Sequence, residues 1–129
     1  MHKSRLAGFI IDCNTDDLRT GAEFWSRALG APVMPKENLW ERRYVGLRMP
    51  DGEPYVELQK VDYPNRVHLD IESDDVEAEV ERLVKLGAKR IEAIKTWVVL
   101  EAPTGHRFCV VPVESRDFEN KAHEWNNDK

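Results

Sequence analysis

Apolar and polar residues alternate without a break from Val67 to Glu72, with Val67, Leu69 and Ile71 on one side and His68, Asp70 and Glu72 on the other. A period of two marks a strand with two unlike faces. The period then lengthens: Val76, Val80, Leu83 and Val84 fall on one side of a helix. Asp74 is an N-cap residue type with Glu77 three positions on, as in a capping box, and Gly87 stands where a helix-stopping glycine is expected. A strand therefore runs into a helix, and the apolar strand face (Leu69, Ile71) is expected to pack under it. The face with His68, Asp70 and Glu72 is then either wet or the wall of a pocket.

The pattern occurs twice. Residues 9–30, FIIDCNTDDLRTGAEFWSRALG, repeat the order strand, Asp-Asp, apolar residue, amphipathic helix, Leu-Gly found at residues 66–87. Placing Asp16-Asp17-Leu18 on Asp74-Asp75-Val76 sets Asp12 on Asp70 and Ile10 on His68. Two copies of one module are the simplest source of such ordered self-similarity. Residues 6–61 are expected to superpose on 66–113.

The remaining elements follow from strand alternation and turn residues. Leu6–Asn14 is expected as the first strand, after five loose residues. Asp16–Leu29 is expected as the first helix, with Leu18, Ala22, Trp25 and Leu29 inward. Ala31–Pro35 reads as a short strand, and Asn38–Arg43 as a connector carrying Trp40. Strands are expected at Tyr44–Met49, Tyr55–Val61, Lys89–Ile94, Thr96–Glu101 and Arg107–Val113. Pro50-Asp51-Gly52 and Pro103-Thr104-Gly105 supply the turns before the last strand of each half. Each half thus reads βαβββ, an α+β arrangement in one domain. The tail, residues 114–129, places Phe118, Ala122 and Trp125 at helical spacing and reads as a short surface helix.

Composition narrows the function classes. The chain has 129 residues, enough for one core. Its 19 Lys and Arg are scattered among 24 Asp and Glu, a net charge of −5, which argues against a nucleic-acid partner. No apolar run is long enough for a membrane helix. MHKSRLAGF lacks the apolar stretch of a signal peptide. Cys13 and Cys109 lack CxxC spacing, as expected of reduced thiols in a cytoplasmic protein.

IIDC at 10–13, FWSRALG at 24–30, RVHLDI at 66–71, WVVLEAPTG at 97–105 and FCVVP at 108–112, within paired βαβββ modules, resemble the vicinal oxygen chelate superfamily. That superfamily includes glyoxalase I, extradiol dioxygenases and bleomycin-resistance proteins; the small glyoxalase-like bacterial members look most similar. The resemblance implies two modules paired about a pseudo-twofold axis, with sheets curled around a central cavity. It implies a metal held there by one residue from the first and last strand of each module. Carried over, those positions are Ile10, Glu57 (or Gln59, two residues on and on the same strand face), His68 and Cys109. Ile10 has no ligating atom and Cys109 is a thiol. No metal cofactor is therefore expected, and if one is bound, His68 and Glu57 are its first ligands.

The residues admit more than one role. His68 is the best catalytic candidate, as a metal ligand or a metal-free acid–base group, or else a pocket residue bonded to a carboxylate such as Asp70 or Glu57. Asp12 and Asp70 suit a cationic or hydroxyl-rich ligand, or cap a helix, or hold an arginine of the other module. Trp97 is a stacking wall or a core residue. Trp25 reads as core, Cys109 as a small buried group, His106 as solvent-facing, and His2 and His123 as incidental. The expected ligand-binding set is Ile10, Asp12, Glu57, Gln59, His68, Asp70, Trp97 and Cys109. The favoured function is binding of a small, partly aromatic organic ligand at a degenerate metal site, in a chain compatible with a homodimer. The alternatives are a metal-dependent lyase or isomerase using His68 and Glu57, and a structural module with a filled interior.

Overall fold

The structure, a computed structural model, describes residues 1–35 and 43–126. Its elements are β1 (His2–Cys13), α1 (Arg19–Leu29), β2 (Tyr44–Leu47), β3 (Tyr55–Lys60), β4 (Arg66–Ser73), α2 (Val76–Lys85), β5 (Lys89–Ile94), β6 (Trp97–Glu101), β7 (Arg107–Pro112), α3 (Phe118–Lys121) and β8 (His123–Trp125). The α+β order repeats, β1-α1-β2-β3 and then β4-α2-β5-β6-β7. In the first copy the expected strand at Ala31–Pro35 is reduced to a single bridge, Val33 with Leu47. The flanking Pro32 and Pro35 account for this, since proline cannot donate to a ladder. The connector carrying Trp40 lies largely outside the described residues.

The chain divides into two compact units, Gly8–His68, and Met1–Ala7 together with Leu69–Lys129. In the first, β1 runs parallel to β3, with Ile10 opposite Glu57 and Asp12 opposite Gln59, and β2 pairs antiparallel with β3. Leu18 and Ala22 bury against Val45, Leu47, Val56 and Leu58, joined by Ile11, Cys13 and Trp25. Leu58 is wholly enclosed. Strand parity thus turns Ile11 and Cys13 toward the α1 side, and Ile10 and Asp12 the other way. The helix begins at Arg19 rather than Asp16, with no side-chain cap. Asp17 spends its carboxylate on the backbone N–H and guanidinium of Arg19. Leu29 is exposed rather than inward, in the last turn before Gly30, which takes the left-handed conformation.

In the second unit, β4 runs parallel to β7, and β6 pairs antiparallel with both β7 and β5. Val80 of α2 packs on Val98, Leu100 and Val110. The cap of α2 is Asp75, whose side chain accepts from the Ala78 N–H, not Asp74. Asp74 accepts instead from the Lys3 N–H, and Glu77 pairs with Arg90 instead of closing a capping box.

Two burial expectations fail here. Leu69 shares a face with Phe108 by ladder register, yet it is 42 % exposed, and Val67 on the same strand is 59 % exposed. The reason is helix placement: α2 makes its main contacts with β5, β6 and β7 rather than with β4. Val84 is likewise exposed. On β4 it is the polar face that is buried.

The chain ends also differ from expectation. The first residues are not loose: β1 starts at His2, and both His2 and Ser4 are buried. The tail forms only the four-residue α3 before turning into β8, which pairs antiparallel with His2–Ser4. Trp125 therefore sits on a strand, where its indole N–H donates to Ser4 Oγ. Beneath it Glu79 is fully buried and accepts from Ser4 Oγ, from Arg82 through Nε and Nη2, and from His2. His2 is thus part of a buried polar network, not incidental. Arg82 lies 3.8 Å over the Trp125 ring.

Candidate functional site

Strand β1 brings Asp12, and the first residues of β4 bring Arg66 and His68, to one place in the Gly8–His68 unit. His68 Nδ1 lies 2.7 Å from Asp12 Oδ2, and both side chains are buried. A carboxylate only accepts, so Nδ1 carries the shared proton, and Nε2 is the basic nitrogen of the neutral ring. Arg66 Nε donates to the same Oδ2 at 3.2 Å, and its guanidinium stacks 4.1 Å over the Tyr63 ring. Burial and the Asp12 charge push the Tyr63 phenol up, against the opposing effect of Arg66. Asp12 Oδ1 is buried with no hydrogen-bond partner among the described residues.

Asp12 is thus one carboxylate that holds His68, in a role for which the sequence suggested Asp70 or Glu57. The expectation that Asp12 holds an arginine is met by Arg66. Arg66 and Tyr63 were not singled out in the sequence. Their only signal was position, since Arg66 lies two residues before His68 on the same strand face.

The other expected residues fall on these sheet faces as follows. Ile10 is buried; Glu57 and Gln59 are half-buried on β3, and the Gln59 amide donates to the Tyr44 hydroxyl. In the β4–β7 ladder Asp70 stands opposite Cys109, and in the β6–β7 ladder Cys109 stands opposite Val99. Trp97, two residues before Val99, shares the face of Cys109 and is half-buried. His106 is exposed and bonded to Thr104. The ladders also bear on the Glu57 and Gln59 alternatives. Asp12 pairs with Gln59 and Asp70 pairs with Cys109. If Asp12 and Asp70 are repeat equivalents, Gln59 is the equivalent of Cys109.

On β4 and its ladder partner β7, the donor atoms of His68, Asp70 and Cys109 lie within 4.8 Å of one another. Nitrogen, oxygen and sulfur donors suit a zinc-like ion, which takes three protein ligands in open sites. Such donors stand roughly 3.5 Å apart around an ion at about 2.0–2.3 Å, so a modest inward movement closes the set. Asp12 on Nδ1 would be the usual carboxylate support of an imidazole that binds metal through Nε2. The residues therefore fit a metal, and Asp70 stands in the group with His68 and Cys109.

The chain matches the glyoxalase-like domain family over residues 8–111. It is a glyoxalase-like domain. Solved structures similar to this domain include a variant of Streptomyces coelicolor methylmalonyl-CoA epimerase in complex with 2-nitronate-propionyl-CoA, at 18% identity and a TM-score of 0.64 over 86% of this chain and 98% of that one. Methylmalonyl-CoA epimerase from Mycobacterium tuberculosis is similar at 14% identity, TM-score 0.64, over 86% and 89% of the two chains. The 2,2',3-trihydroxybiphenyl 1,2-dioxygenase of Sphingomonas wittichii strain RW1 follows at 19% identity, TM-score 0.59, over 88% of this chain and 42% of that longer one. At such identities the likeness establishes the fold alone. No curated protein matches the glyoxalase-like domain. No helix among its described residues is long and apolar enough to cross a membrane.

Proposed function

We propose that this glyoxalase-like domain binds a small, partly aromatic organic molecule at the polar sheet face that carries His68. The observation that carries the reading is the buried 2.7 Å pair of Asp12 and His68. A purely structural interior is more cheaply apolar, since an unpaired buried polar group costs roughly 1–3 kcal/mol. Asp12 also keeps a buried oxygen without a partner among the described residues. Ile10, Asp12, Glu57, Gln59, His68, Asp70, Trp97 and Cys109 are the proposed contacts. Support by analogy comes from the epimerase structure, which holds an acyl-CoA analogue, and from the dioxygenase, named for an aromatic substrate. A thermal-shift screen of a metabolite and antibiotic library against wild type and His68→Ala tests it. A hit that stabilises wild type but not the variant supports the reading; no hit, with a large stability loss in the variant, leaves a structural role.

The His68, Asp70 and Cys109 group favours a second reading, a metal-dependent lyase or isomerase. These three residues would hold a divalent ion, which when bound supplies Lewis-acid polarisation of a substrate oxygen. Asp12 would keep the imidazole in the tautomer that presents Nε2. Glu57 is then left as a general-base candidate. Stoichiometric metal in purified protein, lost in His68→Ala and Cys109→Ser, distinguishes this reading from the first.

A further inference from the structure

We infer that Arg66 anchors an oxyanion, a carboxylate or phosphate group, and that the molecule bound beside His68 is a small organic anion. This rests on the reading of the His68 face as a ligand site and names the class of ligand.

Among the described residues, Arg82 and Arg66 pair with buried carboxylates, and they do so differently. Arg82 meets Glu79 through both Nε and Nη2 at 2.8 Å each, the paired fork that neutralises a carboxylate. Arg66 meets Asp12 through Nε alone, at 3.2 Å, while that oxygen also takes the shorter contact from His68. The arginine side chain on Glu79 is 24 % exposed, whereas that of Arg66 is 41 % exposed above a carboxylate with no exposure. Asp12 and Tyr63 are the partners of Arg66 among the described residues. They use part of its five N–H donors and leave the planar fork able to take a further acceptor.

The guanidinium is also held in advance. Asp12 fixes one edge and the Tyr63 ring supports one face, so less side-chain freedom is lost when an anion arrives. Arg66 and His68 lie two positions apart on one strand face, about 6.6 Å at the strand's rise per residue. An oxyanion on Arg66 therefore sets atoms a few bonds away against the imidazole. A neutral ligand gains at most an ordinary hydrogen bond from this cation, whereas an anion gains a stronger charge-assisted pair at a fixed distance from His68.

The test is an NMR titration of the full chain with benzoate, phenyl phosphate and neutral benzamide, following the Arg66 Nε–H and His68 ring resonances. At least one of the anions should shift both sets and bind at least tenfold tighter than benzamide, and the tighter anion tells carboxylate from phosphate. Arg66→Met should lower that affinity at least tenfold and leave benzamide unchanged. Arg66→Lys, which keeps charge but not the fork, should lose less, and it serves if the methionine variant folds poorly. Benzamide binding as tightly as the anions, with His68 shifts intact, or anion affinity unchanged in both variants, overturns the inference and leaves the ligand site standing. No shift at His68 from any probe overturns both.

Discussion

His2 Nε2 lies 2.7 Å from Glu79 Oε1, with 1 % of one side chain and none of the other exposed. A strand residue and a helix residue 77 positions apart thereby share a buried charge that Ser4 and Arg82 also serve. Removing one partner of a buried ion pair typically costs about 3–5 kcal/mol, because the other is left uncompensated. Glu79→Ala is expected to lower unfolding free energy by about that much in urea. A loss under about 1 kcal/mol would mean the network adds little.

The same carboxyl makes a pH prediction. Burial alone would raise it, but hydrogen bonds from Arg82, His2 and Ser4 and the Arg82 charge outweigh burial and hold it below the ordinary value of 4.5. Its folded pKa is depressed, so its stabilisation is present above the unfolded value and is lost as pH falls through the folded one. The stability gap between wild type and Glu79→Gln should therefore be widest near neutrality and shrink below pH about 4.5. Urea midpoints taken for both proteins from neutrality into acid check this; a gap that stays constant contradicts it.

Core packing gives a third expectation. Leu58 is wholly enclosed against α1 and β2, and its methyl carbon lies 3.2 Å from where a side chain on Gly21 would begin. Leu58→Ala should cost about 2–5 kcal/mol. A value near 1 kcal/mol would indicate that the site collapses around the smaller residue.

Period-two alternation and the Asp-Asp and Leu-Gly anchors made most elements legible, including β5 at Lys89–Ile94 without error. Local pattern also placed Leu58 inward and His68 on the opposite strand face from Leu69. What it did not carry was which strand a helix covers, so Leu69 was expected under α2 although that helix lies over β5, β6 and β7. Nor did it carry long-range polar pairing. Asp12 finds His68 across 56 positions, and His2 finds Glu79 across 77, and neither separation leaves a periodic trace. The tail misled for a related reason. Phe118 is buried as a helical stripe would have it, but Trp125 follows a β8 pairing with β1 that its own neighbours do not encode.

At the candidate site, Asp12→Asn separates orientation from packing. The amide keeps the volume of Asp12 but turns one oxygen into a donor and removes the charge that Arg66 and His68 share. His68 should lose its fixed tautomer, readable in its ring nitrogen shifts, and any ligand that stabilises wild type should stabilise the variant much less. Unchanged ring shifts would show that other contacts hold the imidazole.

The last expectation concerns the metal. His68, Asp70 and Cys109 offer three donors within 4.8 Å, a looser set than a bound ion requires, and Ile10 adds none. Protein purified without added metal is expected to carry well under about one divalent ion per chain, since three ligands in closed geometry are the usual minimum for zinc. Added cobalt should nevertheless find the thiolate and give a sulfur-to-metal charge-transfer band that disappears in Cys109→Ser. Elemental analysis showing about one zinc, nickel, iron or manganese per chain as purified would overturn the metal-free reading. The loss of that ion in His68→Ala and Asp70→Ala would then identify the ligands, and the lyase or isomerase reading would take its place.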